Sequence, residues 1–218
     1  MQRALEKHLI ELKNCRLCPN VVGPVVTQGP VVSKVYLIGQ APGPREGFFG
    51  RPFAWTAGKT LFKWFSSIGL NEEEFRRRVY MAAVCRCFPG KAKAGGDRVP
   101  TPTEVKTCAS WMEQEVKLLK PKLVIPVGRL AIEQVLPQAP LTETIGVQFD
   151  KVFFGHSCHV IPLPHPSGAS TWFKREPGKS LLLKALQIIS RHPAWQELDP
   201  RSTCDLRKIK LLDSADEP

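Results

Sequence analysis

Short apolar runs alternate along the chain with segments whose apolar residues recur at helical spacing. The apolar runs predict strands at residues 34–40, 79–85, 122–127, and 151–154 with 158–163. Helical spacing predicts helices at residues 2–13, 57–68, 71–77, 103–119, 129–136 and 179–191. Strands separated by helices indicate βαβ units. The pattern therefore predicts an α/β fold with a mostly parallel sheet.

The length of the chain fits one domain. A chain of 218 residues can bury a sizeable core, and we expect a single domain over residues 1–193. The mixed charge of residues 194–218 predicts a tail that is loosely packed or disordered. Residues 90–99 have the composition of a flexible basic loop.

Charge narrows the class of partner. A net charge of +11 and a pI near 9.5 favour a polyanionic partner, with nucleic acid first and an anionic membrane surface second. The sequence has no apolar run of the length that spans a bilayer, so a membrane span is not predicted. The N-terminal segment is charged and heptad-like, which is not typical of a signal peptide. We therefore expect an unexported protein of a prokaryotic cytoplasm.

Glycines and prolines crowd the segment that follows the first predicted strand. The stretch GQAPGPREGFFGRPFAWTAGKTLF runs from Gly39 to Phe62, so its backbone must turn sharply several times. In an open α/β sheet, ligands bind at the loops that leave the carboxyl ends of the strands. The loop holds the aromatic Phe53 and the acid Glu46, which favours an active-site loop. The alternative is a glycine-rich turn that binds no ligand.

The chain has 7 cysteines, and in an unexported protein thiolate chemistry or metal binding explains them better than disulfides. Cys15 and Cys18 form a C-x-x-C motif, and Cys108 lies in a predicted helix. Cys85 and Cys87 end a predicted strand and point to the same face, so the pattern excludes neither of them as a metal or cluster ligand. Four such thiolates can hold zinc or an iron–sulfur cluster, and the lack of a second C-x-x-C favours the cluster. We interpret Cys85, Cys158 and Cys204 as ordinary core or surface residues.

A second motif, LPHPSGAS, follows the last predicted strand. His165 should project from the end of that strand, with prolines on both sides to fix its backbone. Ser167 and Ser170 can bind a phosphate through their hydroxyl groups. Aromatic and cationic residues follow directly, as expected of a loop that presses against DNA: Trp172, Phe173, Lys174 and Arg175.

Taken together and in this order, these motifs resemble the uracil-DNA glycosylase superfamily. The features are GQAPG, GRPF and AG in the loop, the C-x-x-C, a cysteine after the middle strand, another in the next helix, and HPS. The resemblance runs from Cys15 to Ile189 and is greatest to the family 4 iron–sulfur type, whose loop typically reads GEAPG…GRPFVG.AG. It implies a three-layer α/β/α sandwich with a short, mostly parallel central sheet.

The resemblance also implies a cofactor. In members of this type a [4Fe–4S] cluster is held by four cysteines, which in this chain would be Cys15, Cys18, Cys87 and Cys108. Cys87 is preferred over Cys85 because it precedes Pro89, as the middle-strand cysteine of the family precedes its prolines. The cluster would join the N-terminal segment to the middle strand and helix.

The chemistry of the family assigns roles to the other motif residues. The target base is flipped out of the DNA stack and leaves with negative charge. Phe53 would stack on the base, and His165 would donate a hydrogen bond to the oxygen where charge develops. Backbone N–H groups around Gln40, Ala41 and Gly43 would add donors, because small residues let the chain approach the base closely.

The chain departs from the family pattern in its acids and in its base-reading residue. Gln40 stands where family 4 commonly has Glu, and Ala41 stands where the best-known branch has Asp. Glu46 is then the candidate for the carboxylate that orients water. The alternative is that Glu46 is a solvated loop acid or a partner of Arg51. Ala83 replaces an Asn that often reads the uracil edge, so selectivity is broader or is carried by backbone groups and Gln40.

Three functions compete at this point. The first is a monofunctional glycosylase, expected as a monomer, that excises uracil or other deaminated bases from DNA. The second is a non-catalytic protein that binds damaged or single-stranded DNA, and the third is a zinc-stabilised α/β protein that binds nucleic acid. Cationic side chains are the candidates for phosphate contacts: Lys91, Lys93, Arg98, Lys174 and Arg175.

Overall fold

The computed structural model describes residues 1–168 and 170–198, and its core is a mixed sheet of five strands. The strands are β1 (Val35–Gly39), β2 (Tyr80–Ala83), β3 (Leu123–Pro126), β4 (Phe149–Phe153) and β5 (His156–Val160), in the order β2-β1-β3-β5-β4. All neighbours are parallel except β4, which pairs antiparallel with β5 at the edge. The predicted α/β fold with a mostly parallel sheet is confirmed.

The edge hairpin explains a difference from the predicted strands. Phe154 and Gly155 have φ values of 47° and 77°, so both lie in the left-handed region. A turn with two such residues matches the twist of antiparallel strands and reverses the chain tightly. The apolar runs at 151–154 and 158–163 therefore become two short paired strands, and residues 161–163 continue alongside β3, where the Ile161 and Leu163 N–H groups donate to the Val124 and Pro126 carbonyls.

The helices pack in groups around this sheet. They are α1 (Gln2–Lys13), α2 (Glu46–Phe49), α3 (Thr56–Ser67), α4 (Glu72–Arg78), α5 (Pro102–Leu119), α6 (Arg129–Ile132), α7 (Leu141–Thr144), α8 (Gly178–Arg191) and α9 (Pro193–Gln196), with a 3₁₀ turn at Trp172–Lys174. Helix α1 packs on α5, α3 on α4, and α8 on α7 and α9. This arrangement agrees with the predicted α/β/α sandwich. The helix predicted at 129–136 ends at Ile132, and the chain continues in turns in which the Gln134 and Val135 N–H groups donate to the carbonyls three residues earlier.

A buried ionic network joins the sheet to α5 and α1. The Glu115 carboxylate accepts hydrogen bonds from Tyr36 at 2.5 Å, Tyr80 at 2.7 Å and Arg86 at 2.5 Å, and His8 lies 3.4 Å from it. Burial alone would raise the pKa of Glu115, but Arg86 and these hydrogen bonds lower it to about 2. The carboxylate is therefore charged and balances the fully buried Arg86.

The start of the predicted tail is packed rather than loose. Helix α9 runs from Pro193 to Gln196 and so extends into that segment, and Trp195 is buried. Its ring stacks on Phe65 at 5.4 Å, and its indole N–H donates to the Ile68 carbonyl at 3.3 Å. A large aromatic side chain that covers α3 contributes to the core, so the domain extends past residue 193. Residues 199–218 of the predicted tail lie outside the described residues.

In the part of the chain that the structure describes, no helix is both long enough and apolar enough to cross a membrane.

Candidate active site and thiol cavity

A cavity of about 500 Å³ opens at the carboxyl ends of β1 and β2, where ligands bind in open α/β sheets. The loop after β1 forms one wall, and the segment after β5 brings His165 to the other. The residues predicted for catalysis and base binding all line this cavity: Gln40, Ala41, Gly43, Glu46, Phe53, Ala83 and His165. Ser167 lines it too, whereas Ser170, Lys174 and Arg175 are not among its lining residues.

Phe53 holds its position because two glycines leave room for it. Its φ of 53° is in the left-handed region, which is uncommon for a bulky residue. A Cβ on Gly39 would lie 2.9 Å from the tip of the Phe53 ring, and one on Gly58 would lie 1.8 Å from the Phe53 carbonyl oxygen. The glycines of GQAPG and TAGK therefore permit the backbone turn that places this ring in the cavity.

Two charged side chains fasten the same turn. Arg76 of α4 donates to the carbonyls of Pro52 at 2.9 Å and Phe53 at 3.0 Å. Glu46 accepts from the backbone N–H groups of Gly43 at 3.2 Å and Ala54 at 3.1 Å. Burial raises the pKa of Glu46, and these N–H groups together with the Arg76 charge oppose that rise. The hydrogen-bond partners of Glu46 are thus backbone groups of its own loop rather than Arg51.

The local hydrogen bonds of His165 define its tautomer. The backbone N–H of Ser167 donates to His165 Nδ1 at 3.2 Å. Because Nδ1 accepts that bond, the neutral ring carries its proton on Nε2. Burial lowers the pKa of His165, so the ring is neutral near pH 7. The ring packs on Gly128, where a Cβ would lie 2.8 Å from its Cδ2 atom.

The predicted basic loop is folded against the cavity instead of extending freely. Gly95 and Gly96 have positive φ and turn the chain, so that Lys91 pairs with Asp97 as an isolated bridge. Asp97 lines the cavity and forms an ion pair of 2.6 Å with Lys91. Asp97 is a second acid of the site that the sequence analysis missed. The Gly-Gly pair before it was the available turn signal.

Two predictions for DNA contacts need correction. Arg98 is engaged with Glu104 through hydrogen bonds of 2.6 and 2.7 Å, since Glu104 also caps α5 and holds the guanidinium. Trp172 and Phe173 are half-buried, and Phe173 packs edge-on against Trp64 at 5.0 Å. These aromatic residues are core partners rather than a DNA-facing pair. Lys174 and Arg175 are exposed, as is Lys93.

A second cavity, of about 290 Å³, is lined by thiols. Its cysteines come from the segment after α1, the end of β2 and the middle of α5: Cys15, Cys18, Cys85, Cys87 and Cys108. The pKa of Cys87 is raised to about 11, mainly by burial. The neighbouring thiols contribute to this rise: Cys108, Cys15 and Cys18. Cys85, set aside from the sequence as an ordinary residue, lines the cavity as well, in the bend that follows β2.

The thiol cavity offers the ligand type that an iron–sulfur cluster requires. Within residues 1–168 and 170–198, no three His, Cys, Asp or Glu side chains converge closely enough to hold one metal ion. The thiols instead surround a space from several sides, beside the buried cation Arg86. An iron–sulfur cluster, which is larger than one ion and is held by cysteine thiolates, fits such a cavity. Cys158 is buried in β5 and is not among its lining residues, and Cys204 lies outside the described residues.

Comparison with known proteins agrees with this geometry. The model of the uracil DNA glycosylase superfamily matches residues 26–189. The chain is 27% identical over 172 residues to the type-4 uracil-DNA glycosylase of Archaeoglobus fulgidus, covering 75% of this chain and 82% of that protein. It is 28% identical over 161 residues to the type-4 enzyme of Thermotoga maritima, with 72% and 78% covered. It is also 30% identical over 184 residues to the type-5 enzyme of Thermus thermophilus, with 70% and 78% covered. The chain therefore belongs to the uracil DNA glycosylase superfamily, and the resemblance found in its motifs is confirmed.

The two glycines beneath Phe53 yield a stability prediction. Gly58→Ala should destabilise the protein by about 3 kcal/mol, because its methyl group must displace the backbone of Phe53. Urea unfolding measures the change. Gly29→Ala is the control, since a Cβ there meets no atom within 4 Å, and it should shift stability by at most about 0.5 kcal/mol. Equal stability of the two variants would contradict the packing described for Phe53.

Proposed function

We propose that this protein is a DNA repair glycosylase that flips uracil, or another deaminated base, out of DNA and hydrolyses its N-glycosidic bond. One observation carries the proposal: the neutral His165 ring is fixed as an Nε2–H donor in a cavity that also holds Phe53. A flat ring to stack on a base and a donor for the oxygen of that base are the two groups that base excision needs. Membership of the superfamily supports this assignment.

The reaction follows from these two side chains. The flipped base stacks on Phe53 with a carbonyl oxygen directed at His165 Nε2. As the bond to the sugar stretches, negative charge grows on the base, and the Nε2–H group stabilises it without transferring its proton. The Gly43 N–H already donates to Glu46, so we assign the remaining backbone donors to Gln40 and Ala41.

Water must then reach the sugar, and two carboxylates line the cavity. Glu46 is buried and held by the loop, and its two oxygens keep further lone pairs for a water molecule. Asp97 is exposed and its charge is compensated by Lys91. We assign the water to Glu46, because its position is fixed relative to Phe53 by the Ala54 N–H.

Base selection rests on few side chains. Ala83 offers no hydrogen bond at the end of β2, so the amide of Gln40 is the polar side chain that we assign to the edge of the base. An amide both donates and accepts, which is compatible with uracil and with other deaminated bases. The lesions accepted are therefore expected to include hypoxanthine or xanthine besides uracil.

We also propose that the thiol cavity holds a [4Fe–4S] cluster through Cys15, Cys18, Cys87 and Cys108. When bound, the cluster supplies covalent links between segments and a capacity for one-electron transfer. In this chain the cysteines would join the end of α1 to β2 and α5. DNA is the proposed partner of a monomer, with exposed cations as phosphate contacts: Lys93, Lys174 and Arg175.

Removing the imidazole tests the central role. His165→Ala should lower the rate of uracil release from a uracil-containing oligonucleotide about 10²–10³-fold, because one preorganised donor is lost. Single-turnover release of free uracil gives this rate. His156→Ala, at the start of β5 and not among the residues that line the cavity, is the control and should keep the wild-type rate. If the wild-type protein binds the oligonucleotide without releasing base, a non-catalytic DNA-binding protein is the correct description.

The water assignment is tested by a matched pair of isosteric changes. Glu46→Gln should lower single-turnover release about 10²–10⁴-fold, whereas Asp97→Asn should leave it near the wild-type rate. The pH profile adds a second readout. Burial raises the pKa of Glu46, so activity should fall as the pH drops through a value above that of an ordinary glutamate. The same acid limb should persist in Asp97→Asn, and its loss there together with a slow rate would assign the water to Asp97.

The cluster assignment is tested by iron content. Protein purified without oxygen should be brown, absorb light at about 400 nm and contain about four iron atoms per chain. Cys87→Ser should lose most of this iron, and Cys85→Ser in the same cavity should retain it. The reverse result would make Cys85 the ligand. A colourless wild-type protein that contains zinc instead would refute the cluster.

A further inference from the structure

Three aromatic side chains are exposed beside the mouth of the cavity, and nothing proposed so far uses them. Phe48 is 90% exposed, Phe49 is 42% exposed and Trp55 is 41% exposed. Trp55 and Arg45 also line the cavity. Contiguous exposed apolar groups of this size are uncommon on a soluble domain and mark an interaction site. We refer to Phe48, Phe49, Trp55 and Arg45 as the aromatic patch.

The members of the patch are ordered relative to one another. The rings of Phe49 and Trp55 are stacked with centroids 6.0 Å apart and an angle of 20° between them. Phe48 meets Phe49 edge-on at 5.5 Å, and the Arg45 guanidinium lies 4.4 Å from the Trp55 ring. The patch therefore presents flat rings with a positive charge at one end.

The loop that forms the cavity also fixes the patch. Phe48 and Phe49 lie on α2, whose first residue, Glu46, accepts from the Gly43 and Ala54 N–H groups. Gly47 of α2 lies so close to Pro24 that a Cβ there would be 3.0 Å from the proline ring. The patch thus has a set position relative to Phe53, and two of its members, Trp55 and Arg45, line the cavity itself.

We infer that the aromatic patch binds unpaired bases adjacent to the flipped nucleotide, which makes single-stranded DNA a preferred substrate form. This inference rests on the proposed function. Base–aromatic stacking tolerates any sequence and is the usual means by which proteins hold single strands. The Arg45 cation and the net charge of +11 complement the phosphates that accompany those bases.

The opposite side of the cavity does not offer such rings. Trp172 and Phe173 of the segment after His165 are half-buried and pack on the core. Aromatic residues and arginine also occur at protein interfaces, but Arg45 and the exposed Arg51 give the patch a positive charge that complements phosphates. Nucleic acid bases are therefore the occupant that the surroundings favour.

The experiment compares variants of Phe48, whose ring is almost fully exposed and whose loss should not affect folding. Binding is measured by fluorescence anisotropy with a uracil-free single-stranded oligonucleotide and with the matching duplex. Phe48→Ala and Phe48→Leu should weaken single-strand binding about tenfold, and Phe48→Trp should keep wild-type affinity, because stacking needs an aromatic face. Duplex affinity should change less than twofold in all three. Val152→Ala on the edge strand, 69% exposed, is the control and should change neither.

Three results would overturn the inference. They are wild-type affinity in Phe48→Leu, an equal loss of affinity for duplex and single strand, and a dimer in gel filtration that Phe48→Ala converts to monomer. The last of these would assign the patch to a second copy of the chain. Uracil release is not part of this measurement, so the inference can fail while the glycosylase proposal stands. Likewise, a wild-type protein that binds single strands by Phe48 but releases no base would refute the glycosylase alone.

Discussion

The site depends on the absence of side chains at Gly39 and Gly58. These two positions let Phe53 adopt a left-handed backbone conformation with its ring against the end of β1. Once the turn exists, Arg76 and Glu46 can fasten it from both sides through backbone groups. That turn determines the position of the Phe53 ring, of the buried Glu46 carboxylate, and of α2 with its aromatic patch. One steric constraint thus sets the shape of the cavity.

The two cavities of the protein share one stretch of backbone. At the end of β2, the Val84 N–H donates to the Gly39 carbonyl at 2.9 Å, and the Cys85 N–H donates to the Gln40 carbonyl at 3.1 Å. The next residues, Arg86 and Cys87, reach the buried Glu115 and the thiol cavity. Whatever occupies the thiol cavity therefore stabilises the segment to which the base-binding loop is hydrogen-bonded. This connection gives the proposed cluster a structural role in an enzyme whose reaction is hydrolysis.

Much of the architecture could be predicted from the sequence because it rests on local patterns. Apolar runs predict buried strands, and Gly-Pro-rich loops after those strands indicate ligand sites. Cavity residues from Gln40 to His165 were found in this way, together with the resemblance of the motifs. Asp97 was not found, because its position depends on the Gly95-Gly96 turn that folds the basic loop back. The exposure of the aromatic side chains could not be predicted from the sequence either. Phe173 and Trp195 are packed, whereas Phe48 is open to solvent. No periodicity in those segments distinguishes the packed rings from the exposed one.

The proposed reaction requires that the cavity receive a base between Phe53 and His165. A crystal structure of the protein with DNA that carries a non-cleavable uracil nucleotide measures this directly. We predict that the base is extruded from the strand and stacked on the Phe53 ring. One of its carbonyl oxygens should lie at hydrogen-bond distance, about 3 Å, from His165 Nε2. A uracil that stays in the DNA stack, or one that enters the cavity with its oxygens directed away from Nε2, would contradict it.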